Sequence, residues 1–164
     1  MALSAGDGMC EDRQAMRADV ADELAIEALR RHGRLRLRVR GGSMAPFMRD
    51  GDVVSIGLTP AGGPRIGDII CYEPRVGRLF VHRVVAYTRD HLVVKGDALA
   101  VVEHVARERV LGTVVALERR GTPTRLDSAG ARLLSRVIAA FSPAIPKLLP
   151  MALHARRAWR AVRG

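Results

Sequence analysis

Between Arg34 and Arg40 every second residue is apolar: Leu35, Leu37 and Val39 alternate with Arg34, Arg36, Arg38 and Arg40. A period of two cannot form a helix stripe, so this segment must turn one face of a strand to a core and the other to water. The residues before it have a different period. From about Glu11 to His32, Met16, Val20, Leu24 and Ala28 recur every fourth position, acids lead, Arg30 and Arg31 close the last turn, and Gly33 follows as a C-cap. The switch at Gly33 predicts a helix that ends where a β unit begins. Beyond Gly41, short β-rich runs are separated by Gly, Pro and Asp turns: Asp52–Ile56, Asp68–Tyr72, Leu79–Tyr87, His91–Lys95 and Val110–Arg119. Residues 129–164 are expected to form one or two helices broken by Pro143, Pro146 and Pro150. The expected fold is mainly β, α+β overall. A small irregular antiparallel barrel or sheet spans 34–120, flanked by an N-terminal helix within 1–33 and basic amphipathic helices within 121–164.

The chain of 164 residues has room for one domain-sized core, and its formal charge of +10 is unevenly spread. From Arg119 to Gly164 there are ten Lys or Arg against one acid, Asp127, whereas the first 118 residues carry 17 basic and 16 acidic side chains. The tail combines arginines with Leu149, Leu153, Trp159 and Val162. That pattern fits an anionic membrane surface or, equally, a packed helix with its arginines in water. Nucleic acid is the weaker partner, because no helix-turn-helix precedes the β region. Cys10 and Cys71 make no CxxC and the five histidines no HExxH, so neither a metal nor another cofactor is expected. The first 30 residues hold seven acids and no signal-peptide apolar run, and no segment offers the roughly 18 to 20 uncharged residues of a spanning helix. The expectation is a cytoplasmic protein, or one held peripherally at the cytoplasmic face of the membrane.

One stretch carries chemistry: Gly41-Gly42-Ser43-Met44-Ala45-Pro46-Phe47-Met48-Arg49-Asp50-Gly51-Asp52. A serine directly after two glycines sits on unshielded backbone, where a large substrate can approach and the serine N–H stays free to donate. The stretch resembles the nucleophile motif of type I signal peptidases, a Ser-Met pair before a proline and a Gly-Asp turn. Four more blocks follow in that family's order: Ile66–Tyr72, Phe80–Val85, Lys95-Gly96-Asp97-Ala98 and Leu111–Val115. The likeness spans roughly residues 39–118.

The resemblance implies a serine endopeptidase in which Ser43 is the nucleophile and its backbone N–H serves the oxyanion hole. The common bacterial branch has a lysine base before the Arg-Val pair. Here His82 stands there, which resembles the histidine branch, and the chain's two lysines, Lys95 and Lys147, lie elsewhere. Asp97 is expected to orient the imidazole, with Glu103, at the place of a second acid in histidine-type relatives, to supplement or replace it. The general chemistry agrees: a serine needs a base to take its proton, and a histidine with a pKa near 6.5 can do so at neutral pH. On strand parity His82 shares a face with Phe80, Val84 and Ala86, while Arg83 points the other way.

The chain departs from the family in three respects. It has no counterpart of the N-terminal membrane anchor, Gly41 replaces a hydroxyl donor of some relatives, and Ala98-Leu99 lacks the usual polar residues. The expected substrate is a protein or peptide, a leader or signal peptide being the family's own choice. The rival readings are a catalytically degenerate peptidase-fold module that binds peptide or membrane, and a self-cleaving regulator on DNA.

Overall fold

The computed structural model describes residues 20–141. Eight strands form one antiparallel sheet: β1 (Leu35–Arg38), β2 (Val53–Gly57), β3 (Ile69–Tyr72), β4 (Phe80–Tyr87), β5 (His91–Lys95), β6 (Val102–Ala106), β7 (Val110–Arg119) and β8 (Thr122–Arg125). Their order is β1-β2-β7-β3-β4-β5-β6, and β8 pairs with the far part of β7. The two ends of that order do not pair, so the sheet is open. Of the two forms left open by the sequence, barrel or sheet, it is the sheet. Helix α1 (20–32) precedes it and helix α2 (Ala129–Phe141) follows. Among the described residues no helix is long and apolar enough to cross a membrane.

Both faces of the sheet's middle are covered. In β3 the parity of the strand sends Ile69 and Cys71 into a cluster with Leu29, Met44, Met48, Val54 and Ile56, and Ile70 and Tyr72 into a second with Val84, Leu92, Val94 and Val105. This is why β3 is buried at all four positions whereas β1, at the edge, keeps its arginines exposed.

The structure adds four corrections to the sequence reading. Val20 and Leu24 are exposed, and α1 buries Ala25, Ile26 and Leu29 instead. A strict four-residue step drifts around a helix of 3.6 residues per turn, and the three-four spacing is what stays on one side. (Met16 lies outside the described residues.) Gly33 does cap α1, with φ +66° and its N–H donating to the Leu29 carbonyl at 2.8 Å.

Strand β6, with Glu103 and His104 in its middle, buries only Val105 closely, and its weak apolar signal concealed it. The sheet also continues past 120 through a two-residue turn, Arg120-Gly121, both at positive φ, into β8. Pro123 is tolerated there because β8 bonds on one side only. Finally, the β4–β5 pairing slips between Val84 and Ala86, so Ala86 leaves the face that Phe80, His82 and Val84 share.

Helix α2 rests on the loop before β3. Gly67 has φ +97°, and a Cβ there would lie 2.9 Å from the Arg136 backbone nitrogen and 3.0 Å from the Ser135 carbonyl carbon. Gly67→Ala is therefore expected to combine backbone strain with displacement of α2 and to cost roughly 1–3 kcal/mol, read from denaturant unfolding.

Candidate active site

The Ser43 loop is held at both ends and in the middle. At its start, the Gly41 N–H donates to Asp50 at 2.9 Å. At its end, Asp52 receives Arg119 through both carboxylate oxygens, at 2.6–3.2 Å, and this guanidinium holds the carboxyl below its ordinary pKa. Arg119 also donates to the Phe47 carbonyl at 2.9 Å. Between them Met44 and Met48 are almost fully buried and anchor the turn in the core. A Cβ at Gly41 or Gly42 would meet nothing within 4 Å, so the approach to Ser43 is open.

The Lys-Gly-Asp turn packs straight onto this loop. The Ala98 N–H donates to the Ser43 carbonyl at 2.9 Å, and a Cβ on Gly96 would come 2.7 Å from that same oxygen. Any larger residue at 96 would push the Ser43 backbone. Asp97 itself is buried and grips Arg83 through two hydrogen bonds, Nε to Oδ1 at 2.8 Å and Nη2 to Oδ2 at 2.7 Å. Arg83 completes its contacts with the Gly67 carbonyl at 3.0 Å and the face of Phe47 at 4.7 Å.

Arg83 and His82 are consecutive in a strand and so point to opposite faces. Asp97, bound to Arg83 by both oxygens, is the partner of Arg83 and makes no hydrogen bond to the imidazole. The groups that meet the imidazole lie on the other face. There His82 Nδ1 lies 2.9 Å from the Tyr72 hydroxyl and 3.4 Å from Glu103 Oε1, and the Tyr72 hydroxyl donates to Glu103 Oε2 at 3.0 Å.

Sheet register explains this meeting. Ile70 pairs with His82 and Tyr72 with Phe80, while Val84 pairs with Val94 and Val94 with Glu103, so all seven lie on one face of four neighbouring strands. Sequence reasoning missed Tyr72. Its signal was a tyrosine ending an apolar strand at even spacing from Ile70, where a buried hydroxyl demands a partner.

The proton arrangement follows from these bonds. Because the Tyr72 hydroxyl hydrogen goes to Glu103, its oxygen accepts from His82 Nδ1–H, which leaves Nε2 with a lone pair. The rings of Tyr72 and Phe80 lie 5.9 Å from the imidazole. Burial lowers the His82 pKa below 6.5, with Glu103 and then Asp97 opposing that shift. Burial likewise raises the Tyr72 pKa, so its hydroxyl stays protonated. His82 is thus neutral at neutral pH, the form a base requires.

Ser43, His82 and Glu103 line one cleft of about 520 Å³, together with Met44, Phe80 and Leu99. Its walls include residues 37–40, at the edge of the sheet where no other described strand pairs with β1, and the Leu79–His82 segment ahead of the β5 pairing. Among the described residues no three His, Cys, Asp or Glu side chains could hold a metal ion together. The chain matches no protein-family model, no curated protein and no solved structure.

Two outcomes separate the roles of the acids. Asp97→Ala strands a buried guanidinium and is expected to cost about 3–5 kcal/mol of folding stability in denaturant unfolding. Glu103→Gln is expected to leave the fold intact and to lower the His82 pKa further, because it removes the charge that most favours the imidazolium. Imidazole proton shifts followed by NMR across pH read this directly.

Proposed function

We propose that the chain is a serine endopeptidase similar to type I signal peptidases of the histidine branch, cleaving an extended segment of a protein or peptide such as a leader. The observation that carries this reading is the hydrogen-bonded run from Glu103 through Tyr72 to a neutral His82, in the same cleft as a serine on a glycine-opened loop. The unbonded edge of β1 and the segment leading into β4 give an extended peptide two backbones to pair with.

In the proposed reaction Ser43 Oγ attacks the peptide carbonyl while His82 Nε2 takes its proton. The Ser43 N–H faces the developing oxyanion. The imidazolium then protonates the leaving amine, giving an acyl-enzyme and a free amine product. Water, deprotonated by the same imidazole, releases the acid product and restores Ser43. Glu103, acting through Tyr72, stabilises the imidazolium and holds the tautomer in which Nε2 is the basic nitrogen. Asp97 acts structurally, by keeping Arg83 and the 96–98 turn against the Ser43 carbonyl.

A fluorophosphonate probe tests the reading. Labelling is expected with the parent chain, absent in Ser43→Ala, and slowed by at least about a hundredfold in His82→Ala, the range of a general base. The rate is expected to rise with pH through a midpoint below about 6.5, because protonated His82 cannot accept the serine proton. Labelling that survives Ser43→Ala, or no labelling at all, favours the peptide- or membrane-binding module over the enzyme.

A further inference from the structure

Helix α2 is turned the unusual way round. It packs on the protein through small residues, Ser135 and Ala139, and leaves Leu133 65%, Leu134 55%, Val137 45% and Phe141 65% exposed. Leu133, Val137 and Phe141 are four residues apart and Leu134 lies one turn before Val137, so the four form one continuous stripe. At 100° per residue Arg132 and Arg136 border that stripe along one side. An ordinary surface helix of a soluble domain directs such a stripe to the core.

A second feature adjoins the stripe. Between α2, the β7–β8 hairpin and the loop after Ser43 lies an apolar cleft of about 620 Å³, lined by Phe47, Leu117, Leu126 and Leu134, with Arg120 also on its wall. Leu134 belongs to both stripe and cleft, so apolar surface and guanidinium charge meet across the whole region.

Charge decides the occupant. Residues 142–164 contain five Lys or Arg and no acid, and a second copy would bring the same arginines against Arg132 and Arg136. Neither complements the patch, whereas a bilayer with anionic headgroups offers acyl chains and negative charge together. We propose that α2 lies in the interface of an anionic lipid bilayer, with Leu133, Val137, Phe141 and Leu134 among the acyl chains and Arg132 and Arg136 at the headgroups. The inference stands apart from the peptidase reading and does not depend on it.

Vesicle flotation of the full chain provides the test. The chain is expected to float with phosphatidylcholine vesicles containing phosphatidylglycerol, less with phosphatidylcholine alone, and less again as salt is raised. Leu133→Glu with Phe141→Glu is expected to weaken binding at least about tenfold. Both side chains already face water, so the double variant should keep the parent's circular dichroism and melting temperature. Arg132→Glu with Arg136→Glu is expected to erase the preference for phosphatidylglycerol. The proposal is overturned if the glutamate variant floats like the parent, which would assign binding to another segment. It is overturned equally if the parent does not float, or if it binds uncharged vesicles as well. A parent that is dimeric by light scattering, monomeric as the glutamate variant and indifferent to vesicles would assign the stripe to a second copy instead.

Discussion

The buried pair of Arg83 and Asp97 holds the site together. Each group is almost wholly out of water, a situation that is tolerable only because the guanidinium is satisfied by two carboxylate oxygens, the Gly67 carbonyl and the face of Phe47. One ion pair thereby joins β4, the 96–98 turn, the loop before β3 and the loop after Ser43. The attachment of Ala98 to the Ser43 carbonyl then transmits that placement to the Ser43 backbone. Such a pair adds little net stability compared with an apolar substitute, but it accepts only one geometry.

On the opposite face of the same strand the environment differs. Tyr72 and Phe80 flank the imidazole with their rings, and Glu103, at the rim, keeps contact with solvent. Desolvation holds His82 neutral, while the Glu103 carboxylate 3.4 Å away favours the positive charge that a base would acquire. The two influences oppose each other in the resting protein, and in the proposed reaction they would cooperate. A neutral imidazole is the form the proposed base needs, and the nearby charge would stabilise its conjugate acid. With Asp97 and Glu103 on opposite faces of β4, neither carboxylate has to serve both Arg83 and His82.

Much of this was legible in local pattern. Strict alternation identified β1, and the boundaries of β5 and β7 agree with the runs His91–Lys95 and Val110–Arg119. Parity put His82 and Arg83 on opposite faces. The elements that escaped are those in which local chemistry is ambiguous. β6 carries polar residues because it is an edge, β8 contains a proline because it is another, and the turn between β7 and β8 has an arginine at a φ usually left to Asn, Asp or Gly. In α1 a four-residue step suggested the wrong face, and the packing of Leu29 against Met44 and its neighbours shows the one that is buried.

The sequence alone determined the parts of the candidate site: a serine on a glycine-opened, proline-stiffened loop, a histidine in a β-strand, and two acids downstream. Those are matters of local backbone freedom and strand period. Which acid meets the histidine was decided only by tertiary structure. Asp97 and Glu103 are six positions apart, and nothing local distinguishes their targets. The choice depends on strand registers summed across β3, β4, β5 and β6, which place Glu103 and Tyr72 on the His82 face. The Asp97 side chain, meanwhile, lies against Arg83 on the other face. The outward turn of α2 has the same origin. Its amphipathic period was visible in the chain, but the face that met the protein was set by the close approach of Gly67 to the backbone of Ser135 and Arg136, which only small side chains permit.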